Sequence, residues 1–128
     1  MIKIKDGLYI GDIEHGMRSN ADTVISLTKD KHDNTDIHLP LTDGENEFRK
    51  YIKTIDKCYD EYIEKDKVLI HCSVGISRSP AVAATIIAMD EGKTFEKAMV
   101  DVRSERIIAN PEPALVKLSK RYLGESDD

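Results

Sequence analysis

The chain has 128 residues, 40% of them hydrophobic and 34% charged, which suits one domain with an ordinary core and is too little for two. Its 19 Lys and Arg stand against 24 Asp and Glu, a formal net charge of -5, which argues against a surface that binds nucleic acid by neutralising phosphates. No apolar run approaches the roughly 18 residues of a bilayer span, and the opening MIKIKDGLYI lacks the continuous apolar core of a secretory signal.

A cytoplasmic monomer with neither a membrane nor a nucleic-acid partner is therefore expected. Cys58 and Cys72 are too few for a disulfide framework, and no CxxC pair suggests zinc or redox exchange. Along the chain, residues 8–10, 23–27, 37–39 and 68–71 read as short β-rich strands, with a weakly signalled helix around residues 14–20. From Phe48, apolar residues recur at 48, 51, 52, 55, 58, 59, 62 and 63, one face of a helix. The charged turn EKDK then leads into VLIHC, a run expected of a central strand buried on both faces.

Ser79 and Pro80 read as N-cap and first-turn proline of a second helix, PAVAATIIAMDE, apolar nearly all round and ended by Gly92. Thr94 caps a third helix to about Ser104, and PEPALVKLSKRYL makes a fourth. Strands alternating with helices give an α/β class: a central, mostly parallel sheet of about four to five strands flanked by helices in three layers. Residues 1–123 are expected to form the domain, and GESDD, residues 124–128, a disordered tail.

The informative segment is HCSVGISRS, residues 71–79, between the central strand and the buried helix. A loop that leaves a strand and feeds a helix N-terminus aims several backbone N–H groups at one point and adds the positive end of the helix dipole. Gly75 permits the sharp turn, and the small Ser73 and Ser77 leave room beside Val74 and Ile76, so residues 73–78 are expected to bind an oxyanion. Arg78 offers a planar fork that can hold two phosphoryl oxygens. Oriented donors, dipole and guanidinium all favour an anionic sulfur, so Cys72 is expected to be a thiolate at neutral pH. His71 is expected to fix the loop and the Ser79 hydroxyl to assist the sulfur when it leaves.

His71, Cys72, five residues, Arg78 and Ser79 resemble the signature of the cysteine-dependent phosphatases, and the chain is similar to the small dual-specificity protein phosphatases among them. GLYIGD, TVISLT, LPLTDGEN and the stretch from Arg106 to Pro111 extend the likeness. The resemblance implies the family's helix-wrapped, mostly parallel sheet and hydrolysis of phosphotyrosine and phosphoserine or phosphothreonine in phosphoproteins. The resemblance implies a cysteinyl-phosphate intermediate and calls for no metal or other cofactor. It also implies an upstream carboxylic acid on a movable loop, for which Asp43 in LTDGEN is the choice over Asp30, Asp33 and Asp36. Asn110 takes a supporting position under the loop, although PEPAL stands where relatives commonly have Gly-Phe after the Asn.

Other readings compete. A lone cysteine after an apolar strand is most often a small core residue, the default for Cys58 on the inward helix face. An arginine in a glycine-containing turn six residues after Cys72 has no such core role. His15, His32 and His38 have no metal-ligand spacing with His71. GDIEHGMR lacks the Lys-Ser or Lys-Thr of a phosphate loop, and GISRS lacks the second glycine of a hydrolase elbow. The alternatives to a protein phosphatase are a phosphate-binding module with little turnover, action on phosphoinositide or RNA 5'-phosphate, and a sulfurtransferase or arsenate reductase.

Overall fold

Val68, Leu69, Ile70 and His71 are each fully buried, and the strand they make is the middle of a five-stranded sheet. In a computed structural model that describes residues 1–125, the strands are β1 (Ile2–Lys5), β2 (Leu8–Gly11), β3 (Thr23–Ser26), β4 (Ile37–His38) and β5 (Val68–His71). Their order is β1-β2-β5-β3-β4. β2, β5, β3 and β4 run parallel, and β1 closes one edge antiparallel to β2. The polar edge strand β1 lies outside the four strands read from the sequence; Asp6 and Gly7, with φ +85°, turn it into β2.

Five helices cover the sheet: α1 (Ile13–Arg18), α2 (Phe48–Glu64), α3 (Arg78–Glu91), α4 (Phe95–Glu105) and α5 (Pro113–Tyr122). Alternation along β5 sends Val68 and Ile70 into a core shared with α2, α3, α4 and α5. The opposite face carries α1, whose Gly16 lies against the His71 ring. The arrangement is the expected α/β fold. Residues 79–88 of α3 are all buried, because α2, α4 and α5 surround a helix already seated on the sheet. Tyr51 of α2 fills the space toward α5, its hydroxyl 2.6 Å from Ser119 Oγ, both buried.

Two helix starts depart from expectation. The helix expected around residues 14–20 spans Ile13–Arg18 and begins at a capping box: the Asp12 carboxylate accepts from His15 N, and His15 Nδ1 accepts from Asp12 N. Helix α3 begins at Arg78 with Ser77, not Ser79, at the N-cap. The Ser77 hydroxyl accepts instead from the backbone N–H of Glu112 at 3.0 Å, and the sulfur of Cys72 accepts from Ser79 N. A sulfur thus takes the first-turn donor that a capping side chain usually serves. At the other end Gly92 closes α3 with φ +66°, and the Thr94 hydroxyl caps α4 through Lys97 N.

Of the expected tail, Gly124 and Glu125 hydrogen-bond back to α5, and the Glu125 carboxylate accepts from Phe95 N at 2.9 Å. Residues 126–128 lie outside the described residues. Among the described residues no helix is long and apolar enough to cross a membrane.

Candidate active site

Cys72 follows the last residue of β5 at the C-terminal edge of the parallel strands, where such sheets commonly hold their ligands. Its backbone N–H donates to Gly11 O at 3.2 Å, so the end of β2 fixes where the side chain begins. The residue is only 2% exposed, with Sγ 3.3 Å from the Ser79 hydroxyl and 3.4 Å from the donating Ser79 N–H. Both contacts lie in the first turn of α3, so the sulfur meets the positive end of a 14-residue helix.

Every backbone carbonyl of the next five residues has a partner outside the loop's concave side. Ser73 O accepts from Ile13 N at 3.1 Å, and Val74 O and Gly75 O accept from Arg106 Nη2 and Nε at 3.0 and 3.2 Å. Ile76 O accepts from Asn110 N at 2.7 Å, and Ser77 O from Ala81 N at 3.0 Å. Peptide planarity turns the N–H of the following residue the opposite way. Among the described residues, the N–H groups of residues 74–78 have no intramolecular acceptor. Five such donors, in the loop between Cys72 and the first turn of α3, can serve as a backbone anion nest.

Gly75 is the hinge of this nest. Its φ is +74°, and an added Cβ would stand 3.1 Å from the backbone carbon and oxygen of Gly11, a wall that cannot rotate away. Arg78 closes the opening. Its Nη1 donates to Leu27 O at 3.3 Å and Leu41 O at 3.0 Å, and its Nη2 donates to Ser73 Oγ at 2.9 Å. Three of about five guanidinium N–H groups are thereby used to hold the side chain. Nε–H and one Nη2–H remain on the edge suited to two oxygens of a tetrahedral anion.

The comparisons with known proteins cover most of the chain. The sequence model of the dual specificity phosphatase catalytic domain matches residues 8–120. The chain belongs to that family. It is a dual-specificity protein phosphatase, a hydrolase, as the resemblance of the signature implies. Protein 123R of Invertebrate iridescent virus 6, whose name places it among tyrosine phosphatases, is 28% identical over 122 residues, covering 90% of this chain and 86% of that protein. Dual specificity protein phosphatase 1 of Arabidopsis thaliana is 26% identical over 128 residues; the match takes in 89% of this chain and 64% of the plant protein. In fold, the chain is similar to the crystal structure of human DUSP28, with TM-score 0.80 at 18% identity over 95% of this chain and 94% of that one.

Within the phosphatase fold, His71 lies behind the nest rather than in it. Its Nδ1–H donates to Cys72 O at 3.3 Å, its ring packs on Gly16, and the ring centroid of His32 is 6.4 Å away. Burial holds the His71 pKa below the ordinary imidazole value, against the opposing pull of the Cys72 carbonyl, so the ring is neutral. Nε2 then carries a lone pair, buried and without a partner among the described residues.

Asp43 stands in an exposed loop that no helix or strand claims. The loop is closed by Asn46, whose Oδ1 accepts from Thr42 N at 2.8 Å and whose Nδ2 donates to the carbonyls of Thr42 and Gly44. Its root, buried Leu41, is the residue whose carbonyl Arg78 grips. The loop bearing the carboxylate and the nest are thus joined through one guanidinium. Of its rivals, Asp36 is engaged in the sheet, where its Oδ2 accepts from Val24 N at 2.7 Å.

Asn110 has an exposed side chain and touches the loop only through its backbone N–H. The side chain that does hold the loop from this segment is Arg106, a residue within the Arg-to-Asn-Pro stretch that sequence reading left without a role. A cavity of about 620 Å³ lies between α5 and residues 45–46, and it holds neither the thiol nor the nest.

Proposed function

We propose that Cys72 is the nucleophile, Arg78 the phosphate clamp and Asp43 the general acid and base of a two-step phosphomonoester hydrolysis. The thiolate attacks phosphorus in line with the leaving oxygen; an S–P bond forms as the P–O bond breaks. The leaving alkoxide or phenolate takes its proton from the Asp43 carboxyl. Water then attacks the cysteinyl-phosphate and gives a proton to the Asp43 carboxylate. The S–P bond breaks, phosphate departs, and the Ser79 hydroxyl donates to the returning thiolate. Throughout, the amides of residues 74–78 and the free edge of Arg78 hold the equatorial oxygens, so the gain comes from positioning and preorganised charge. Nothing in this sequence of steps calls on a cofactor.

The observation that carries this reading is the accounting of the loop: five carbonyls bonded away from the thiol and five amides left free around it. A cysteine serving only as core packing would not need them. The substrates are phosphorylated proteins, and the nest recognises the phosphoryl group common to phosphotyrosine, phosphoserine and phosphothreonine.

The test is turnover of p-nitrophenyl phosphate and of matched phosphotyrosine and phosphothreonine peptides by the wild type, Cys72→Ser and Asp43→Asn. Cys72→Ser should abolish turnover on every substrate. Asp43→Asn should lower kcat by roughly 10²–10⁴-fold, the usual worth of a positioned proton donor, and least for leaving groups that depart without a proton. Activity that survives Cys72→Ser would sink the assignment.

A further inference from the structure

The nest is shaped from outside by a residue that cannot be reading the substrate with the same atoms. Arg106 is the C-cap of α4: its backbone N–H donates to Val102 O, and its carbonyl accepts from Ala109 N at 2.9 Å. With both ends of its peptide fixed, the half-buried side chain reaches the back of the loop and donates from Nε to Gly75 O and from Nη2 to Val74 O. Arg103, one helical turn earlier, donates from Nε to Ala109 O at 3.0 Å and so holds the segment that carries Asn110 N. The near side of the loop is walled by Gly11 and by Ile13 N. The Asp12 carboxyl, lowered chiefly by the His15 backbone N–H against the effect of burial, also feels the Arg106 charge.

We propose that Arg106 is a positioning residue for the catalytic loop: its two donors hold the Val74 and Gly75 carbonyls outward and thereby aim the Gly75 and Ile76 amides at the phosphoryl group. The inference rests on the phosphatase reading only where turnover is measured, since anion binding reports on the nest directly. A lysine would not replace it. One ammonium is a point donor, whereas adjacent carbonyls at different heights need the planar fork. Without the fork the peptide planes that follow residues 74 and 75 are free to rotate, and a displacement of about 1 Å in such a site is worth on the order of 10²-fold in rate.

The experiment has two arms. Tungstate binding is measured by calorimetry on Cys72→Ser and on the same protein carrying Arg106→Ala or Arg106→Lys. Separately, kcat and KM for p-nitrophenyl phosphate are measured on Arg106→Ala and Arg106→Lys with Cys72 intact, alongside thermal denaturation. Arg106→Ala should weaken tungstate roughly tenfold or more and lower kcat/KM about 10- to 100-fold, with kcat and KM both affected. Arg106→Lys, which restores the charge and one donor, should keep the melting temperature near wild type while recovering only part of either loss. That variant decides the matter if the alanine protein does not fold.

Tungstate affinity within twofold of the parent in a folded variant would overturn the proposal, as would full recovery by lysine. Tungstate binding that depends on Arg106 in a wild type that hydrolyses nothing would remove the phosphatase reading and leave this inference standing.

Discussion

Gly16→Ala sets two forces of opposite sign against each other. Gly16 lies inside α1, where alanine is ordinarily worth about 1 kcal/mol more than glycine. Helix propensity alone therefore predicts a more stable protein. The added Cβ, however, would fall within the space of the His71 ring, closer than real carbon atoms approach, and His71 is fully buried. Either α1 lifts from the sheet or the ring turns and gives up its bond to Cys72 O.

Overpacking of this kind costs about 1–3 kcal/mol, and the long Nδ1 bond is worth about 0.5–1 kcal/mol more. Subtracting the helix gain leaves a net destabilisation of about 0.5–3 kcal/mol. For a domain of this size, a midpoint shifts by roughly 3–4 °C per kcal/mol, so the melting temperature followed by circular dichroism should fall by about 2–12 °C. Turnover should drop further than stability explains, because His71 precedes Cys72, the proposed nucleophile. Gly44→Ala is the stability control: nothing lies within 4 Å of its added Cβ, and its melting temperature should be unchanged or slightly raised. A Gly16→Ala protein more stable than wild type would refute the claim that α1 supports the catalytic loop through this contact.

Alkylation should separate the two thiols. Iodoacetamide at pH 7 should modify Cys72, with phosphate protecting it, while Cys58, fully buried and with its pKa pushed up by that burial, should react only after unfolding; peptide mapping that finds Cys58 modified first would contradict this. His71 should make stability pH-dependent. Its folded pKa lies below the ordinary 6.5, so below that pH the unfolded chain binds the extra proton. Its contribution is complete above about pH 6.5 and is lost as pH falls toward the lowered value, a slope in urea denaturation that His71→Gln should flatten. Ser119→Ala should cost about 1–2 kcal/mol by stranding the buried Tyr51 hydroxyl, and Tyr51→Phe in the same protein should recover part of that loss; equal stability of the single variant and wild type would show the bond to be idle.

Most of the sheet was legible because β2, β3 and β5 are short apolar runs with nothing charged inside them. β1 was not, since Ile2 and Ile4 alternate with Lys3 and Lys5, and Ile4 is buried in the core while Ile2 only packs against its edge. Its signal was the following Asp6–Gly7 pair, the usual chemistry of a tight hairpin turn. The start of α3 misled for a physical reason. Ser-Pro imitates a cap and a first-turn proline, yet the cap donor goes to a sulfur seven residues back in sequence. Local propensity cannot register an acceptor supplied by tertiary structure.

The family was legible because the phosphatase signature carries its side chains at a fixed spacing, from His71 and Cys72 to Arg78 and Ser79. The groups that shape the nest were not. Ile13 N, Asn110 N and Gly11 O act through the backbone and carry no mark in the side chain. Arg106 does carry one, but an arginine at a helix C-terminus is ordinarily a solvated partner of the dipole.

An anion nest has to keep amides unpaired until the ligand arrives, which is a liability in any fold that satisfies its backbone groups. This chain meets the difficulty by fastening the opposite side of each peptide. The fasteners come from the β2–α1 junction, from the link between α4 and α5, and from α3 itself. Those segments are distant in sequence and meet only when the sheet and helices have assembled. The loop's geometry belongs largely to what surrounds it: the partners of its carbonyls come from Ile13, Arg106, Asn110 and Ala81. The same logic divides the site in two. The nest is clamped on three sides, whereas the loop of Asp43 is tethered only at Leu41 and through Asn46, the freedom that the general-acid role proposed above would need.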